Sequence, residues 1–309
     1  MPPSGPRDVI AAVVAVAGFA SWFTSGPLGN RPAPPPLIPA ILVVAPDIAA
    51  RPQIFIVDPG GSGRRQLTRS DGLKAYPSWS RDRRQIAFTW AAQGAPELWA
   101  MNSDGSGQHQ LTRPPGSGNF VPTWAPDGSR IAFTSVRTGH PEIWVMNADG
   151  SGQRQLTHSE TPGGSNAPSW SPDGTRIAFA SDREGRTEVF TMAPYGSDAR
   201  RLTEPLGPDF PDSNVPVWSP DGHRIAFWSG IEQQYGQVWV MNADGRNRRP
   251  LSNCPPPRNC DNPAWSPDGS QILFETNRGD RIETWVMAAD GGGQRPLLPF
   301  GYGAGRLPW

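Results

Sequence analysis

Lysine is almost missing from this chain of 309 residues: Lys74 is the single one, and the other basic residues are arginines. Arg plus Lys equal Asp plus Glu, 28 against 28, so the formal net charge is zero. A balanced chain carries no electrostatic footprint for a phosphate backbone, which excludes nucleic acid as an expected partner. Histidine is scarce. His109, His140, His158 and His223 fall at unlike places, which argues against a histidine metal cluster. Cys254 and Cys260 are the only cysteines, and no Cys-x-x-Cys redox or zinc spacing is present. No serine sits in a Gly-x-Ser-x-Gly elbow, and no glycine-rich phosphate loop opens a helix.

Long apolar runs are missing too, with one exception from Val9 to Phe23. That run is short for a membrane span and follows Arg7, which fits the apolar core of a secretory signal. Residues 1–25 are therefore read as a signal peptide or an uncleaved N-terminal membrane anchor. Residues 26–39 hold six prolines and read as a tether.

What the chain does have is a repeat. Trp79, Trp124, Trp170, Trp218 and Trp265 are separated by 45, 46, 48 and 47 residues. A period in this range marks a propeller or a related repeat architecture. One copy shows the plan. Ala167–Trp170 reads as a short first strand, followed by the turn Ser171-Pro172-Asp173-Gly174. Pro pre-sets φ in that turn, and Gly suits its last position. Arg176–Ala180 is the second strand, with Ile177 and Phe179 on one face and Ala178 on the other. Glu188–Met192 is the third. The fourth is clearest as Arg154–Thr157 in the preceding copy, after the turn Asn147–Gly152. Four antiparallel strands joined by tight turns make one propeller blade.

Spacing inside the copies is rigid, and spacing between them is not. From the tryptophan to the second-strand Phe is always nine residues. The link from the fourth strand to the next tryptophan measures 11, 12, 13, 15 and 13. In an up-and-down blade these links share a face with the loop between strands two and three. The two rigid turns share the opposite face. Residues 41–68 supply three more strands without a first one, and the tail Phe300–Trp309 is expected to complete that blade. The expected fold is an all-β, six-bladed propeller over residues 40–309, closed by mixing N- and C-terminal strands in one blade.

The repeated Pro-x-Trp-Ser-Pro-Asp-Gly-x-x-Ile-Ala-Phe, as in Pro168–Phe179, and Ile-Trp-Val-Met-Asn-Ala-Asp-Gly, as in Ile143–Gly150, resemble the WD-repeat-like propellers typified by TolB. The resemblance covers about residues 41–298. It implies a six-bladed propeller of the periplasm that binds other envelope proteins. It says less about chemistry, because this fold hosts many activities.

Candidate binding residues follow from position. Asn119, Asn166, Asn214 and Asn262 each precede a repeat tryptophan by three to five residues, with Asp212 and Asp261 beside two of them. Ahead of the innermost strands, they would ring one mouth of the central channel. A ring of amide and carboxylate oxygens suits a peptide end, a sugar, or a cation such as calcium. The same asparagines also fit turn-capping roles. The longest link, Glu204–Asn214, offers Asp209 and Phe210, with Phe210 as the natural anchor for a partner. Cys254 and Cys260 lie in one link and are expected to form a disulfide, which belongs to an oxidising compartment.

The expected function is a non-enzymatic binding or scaffold module of the cell envelope or exterior. It is expected to be a monomer without cofactor, touching a membrane only through its N-terminal segment. The rival reading is a small-substrate enzyme, a lyase or lactonase, working at the channel mouth.

Overall fold

The computed structural model describes residues 40–298 apart from 93, 113–117, 161–162, 205–211, 232–234 and 280–281. The signal-like segment, the tether, the closing tail, Asp209 and Phe210 all lie outside the described residues. The described residues form strands and no helix, so none of their elements is a helix long and apolar enough to cross a membrane.

Six antiparallel sheets follow one another along the chain. The first holds β1 (Ile41–Pro46), β2 (Pro52–Val57) and β3 (Arg65–Gln66). The second holds β4 (Leu73–Trp79), β5 (Gln85–Ala91), β6 (Glu97–Asn102) and β7 (His109–Gln110). The third holds β8 (Asn119–Trp124), β9 (Arg130–Ser135), β10 (Glu142–Asn147) and β11 (Arg154–Gln155). The fourth holds β12 (Ser165–Trp170), β13 (Ile177–Ser181), β14 (Glu188–Met192) and β15 (Arg200–Arg201). The fifth holds β16 (Asp212–Trp218), β17 (Arg224–Ile231), β18 (Tyr235–Asn242) and β19 (Arg249–Pro250). The sixth holds β20 (Cys260–Trp265), β21 (Gln271–Thr276), β22 (Glu283–Ala288) and β23 (Arg295–Pro296). Strands pair in chain order within every sheet, so each is an up-and-down blade.

The expected two-faced second strand is what stacks the blades. Ile177 and Phe179 pack with Ala132 and Ile143 of the preceding blade. Ala178, on the other face, packs with Trp218, Ile225 and Phe227 of the following one. A small residue there lets the next sheet approach closely.

The Asp-Gly turns explain how the ring closes. Gly150 has φ +86, and a Cβ there would lie 2.4 Å from the carbonyl oxygen of Leu111 in the preceding blade. Only glycine satisfies both the left-handed backbone and that approach. The same contact joins Gly105 to Leu67, Gly196 to Leu156, Gly245 to Leu202 and Gly291 to Leu251. It recurs between Gly61 and Leu297, which brings the first blade onto the last. Ile41, Val43 and Phe55 accordingly share a core with Phe274, Leu273 and Leu297. Six like contacts make a closed ring of six blades. Among the described residues β1 is paired on one side only.

Two strands differ from their sequence expectation. The fourth strands are cut to two paired residues, as in Arg154–Gln155. The first strands are longer, as in Ser165–Trp170, because each is bulged before its tryptophan.

Candidate functional site

The bulge shapes the centre of the ring. Three residues before each repeat tryptophan the backbone turns left-handed, at Tyr76, Val121, Ala167, Val215 and Asn262, with φ of 51 to 60. A non-glycine residue in this region is uncommon and costs energy, so the surrounding structure must impose it. Tyr76, Val121, Ala167 and Val215 come from four different blades and meet in one apolar cluster. They plug the channel axis. Prolines follow directly, at Pro77, Pro122, Pro168, Pro216 and Pro263, tolerated because a bulged inner edge strand needs no N–H there.

The four asparagines do not share a register position. Asn262 lies at the left-handed position itself, Asn166 and Asn214 one residue earlier, and Asn119 one earlier still. All four lie within first strands. Asn166 and Asn214 are half-buried beside the apolar plug, and Asn214 Oδ1 accepts the N–H of Val215 at 2.8 Å. Asp212 is half-buried at the start of β16.

Asn119 belongs to a seam between blades. It is fully buried, donates to Glu97 Oε2 at 2.7 Å and accepts from Arg137 at 2.9 Å. Glu97 is part of a device that sequence reading missed. In five sheets a hydroxyl two residues beyond the last strand bridges a third-strand carboxylate or amide and a backbone N–H. Thr157 Oγ1 donates to Glu142 and accepts from the Ile143 N–H at 2.9 Å. Thr112 serves Glu97 and Leu98, and Thr203 serves Glu188 and Val189. Thr68 serves Gln53 and Ile54, and Ser252 serves Gln237 and Val238. A sequence signal for it exists: thirteen residues always separate the third-strand aromatic from this Thr or Ser, as from Trp144 to Thr157. In the last blade that position is Leu298, and the Thr284 hydroxyl is buried without a partner.

Lys74, the lone lysine, is fully buried at Asn119's register position in its own blade. Its ammonium donates to the carbonyls of Ser70, Asp71 (2.8 Å) and Gly72 (3.1 Å). It also lies 4.9 Å from the Trp90 ring centroid. Burial pushes its pKa down to about 8.

The last blade carries a further polar group on the link face. Asp261 is the cross-strand partner of Glu275. Asn262 Nδ2 donates to Glu275 Oε2 at 2.7 Å, and Asn259 Nδ2 donates to Asp261 Oδ2 at 2.8 Å. Asn259 in turn accepts from the Trp228 indole at 3.0 Å. Burial pushes Asp261 up to about 7, and burial plus the Asp261 charge pushes Glu275 well up. The Cys254–Cys260 disulfide is present as expected, with Cα atoms 5.9 Å apart, and pins the start of β20.

The opposite face is regular. Asp104, Asp149 and Asp268 stabilise its turns. Ser151 Oγ and N–H both donate to Asp149, and these bonds hold its carboxyl below the usual range. Ser106 does the same for Asp104, and Ser266 and Ser270 for Asp268. On this face Trp79, Trp124, Trp170 and Trp218 line a small open pocket of about 30 Å³. Arg81 crosses it to the Pro172 carbonyl at 3.1 Å. His109, His158 and His223 are exposed at unlike points of three blades, and His140 is half-buried.

Residues 106–301 match the family described as PD40, TolB beta propeller domain. Among solved structures, TolB from Acinetobacter baumannii is 21% identical with a TM-score of 0.74. That match covers 87% of this chain, which spans 65% of that TolB. A chain of a nidogen/laminin complex is 10% identical with a TM-score of 0.70, covering 87% of this chain and 97% of that one. Oligogalacturonate lyase from Vibrio parahaemolyticus is 13% identical with a TM-score of 0.58, covering 84% and 74%. At these identities the likeness establishes the fold. No curated protein sequence matches this chain.

Proposed function

Since the chain belongs to the PD40 family of TolB β-propeller domains, we propose that it is a non-enzymatic binding module of the cell envelope or exterior. On this reading it engages a protein partner through the face that carries the interblade links. One observation supports this above the others: the two faces of one regular ring are built unequally. The turn face repeats one tight-turn geometry in five blades, the N–H of Arg83, Gly128, Gly174, Gly222 or Gly269 bonding back to the carbonyl three residues earlier. The link face holds the links of changing length and the half-buried Asn166, Asn214 and Asp261. Variable loops on a rigid scaffold are where binding residues gather. TolB shares the fold, and so does a chain crystallised in a nidogen/laminin complex. The disulfide and the apolar run at residues 9–23 both support export. The lyase reading draws on the fold it shares with oligogalacturonate lyase alone.

The test uses a partner captured by the mature domain from envelope extract and then purified. Phe210→Ala should weaken its binding about tenfold or more. Tyr195→Ala, which removes a ring 70% exposed on the turn face, should leave binding unchanged. The opposite pattern would place the partner on the turn face and end this reading.

A further inference from the structure

The last blade departs from the others at three positions that face one another. One residue before the left-handed position, the other blades carry Ala75, Phe120, Asn166 and Asn214, and the last carries Asp261. At the left-handed position they carry apolar plug residues, and the last carries Asn262. After the second-strand Phe they carry Thr89, Thr134, Ala180 and Trp228, and the last carries Glu275. At this third position Thr89 and Thr134 accept a backbone N–H from the next blade. A hydroxyl suffices for that task, so a carboxylate is not needed for stacking.

The three side chains form one group. Asp261 and Glu275 are directly opposite across the β20–β21 ladder, where like charges destabilise. Asn262 holds one oxygen of Glu275. Glu275 and Asn262 are each 4% exposed, and both Glu275 Oε1 and Asn262 Oδ1 are buried without a hydrogen-bond partner. Both orphans are acceptors. No Arg or Lys among the described residues is ion-paired with either carboxylate. Buried acceptor oxygens next to two acids are costly unless a positive charge joins them.

We propose that Asp261, Glu275 and the amide oxygen of Asn262 form a Ca²⁺ site at the link-face mouth of the ring. All the donor atoms are hard oxygens, the set that suits Ca²⁺ rather than zinc or copper. The described residues gather no cluster of three His, Cys, Asp or Glu, so the third protein oxygen comes from the amide. Ca²⁺ completes its shell with water and tolerates the irregular geometry of a bulged strand. Asn259 fixes Asp261 from one side, and the disulfide fixes the strand that presents it. The site goes beyond the binding function proposed above and stands independently of it.

The test uses the full chain stripped with EDTA. TbCl₃ should give luminescence on tryptophan excitation, since Trp228 is one hydrogen-bonded residue away from Asp261, and CaCl₂ should quench it by displacement. CaCl₂ should also raise the melting temperature, with MgCl₂ much weaker. Asp261→Asn and Glu275→Gln should each lower Ca²⁺ affinity at least tenfold. In EDTA both variants should melt no lower than wild type, because each removes one of two opposed charges. An unchanged wild-type melting temperature in millimolar CaCl₂ overturns the proposal without recourse to any variant. So does terbium emission that persists in both variants.

Discussion

The third and sixth blades share a backbone plan and are held together differently. In the third, Thr157 bridges Glu142 and the Ile143 N–H, and apolar Val121 fills the channel position. In the sixth, Leu298 replaces the bridging threonine, a disulfide pins the first strand, and acids replace the inner residues. The sixth blade also closes the ring against the three-stranded first blade. A repeat can thus keep its apolar stacking while exchanging its polar fasteners. The stacking is common to all blades because every blade must cover two apolar faces. The fasteners are free to vary because each serves one seam.

The largest expected effect tests the common part. Phe179→Ala should cost about 3–5 kcal/mol in urea denaturation, because it empties a fully buried site between two blades. A cost below about 1 kcal/mol would mean that stacking is not what holds the blades. Thr157→Val comes next. It leaves the Ile143 N–H and Glu142 without their hydroxyl, at about 1–3 kcal/mol. A neutral result would remove the bridge from the account and make the contrast with Leu298 meaningless.

The smallest effect concerns the buried lysine, which no other blade has. Its folded pKa, about 8, lies below the ordinary lysine value of roughly 10.4. Between those values the unfolded chain holds a proton at Lys74 that the folded chain has released. This group therefore makes stability rise with pH from about 8 towards 10, while below pH 8 its penalty is constant. Wild type should gain stability relative to Lys74→Met between pH 7.5 and 9.5. A gap that stays constant or moves the other way refutes the assignment.

Much of the ring was legible. Tryptophan spacing marked five blades, the strand pattern of residues 41–68 marked the sixth, and the alternation at Ile177, Ala178 and Phe179 told which side chains face each neighbour. The candidate site was less so. Asn119, Asn166, Asn214 and Asn262 look alike when counted back from a tryptophan. A bulge changes which way successive side chains point, so a shift of one residue separates a buried seam from the channel mouth. Glu275 was overlooked because it sits in a second strand, fourteen residues after Asp261, with no motif around it.

By itself the sequence determined the strand order, the tight turns and the stacking of two-faced blades. Those depend on local chemistry: proline and glycine in turns, alternation in strands, and a period that repeats. Only the tertiary structure decided which polar atoms meet. Asp261 and Glu275 become neighbours through a strand register, Asn119 and Glu97 through a seam between blades, and four channel residues through closure of the ring. Each pairing is between residues distant in the chain, and the energy of a buried charge depends on everything packed around it.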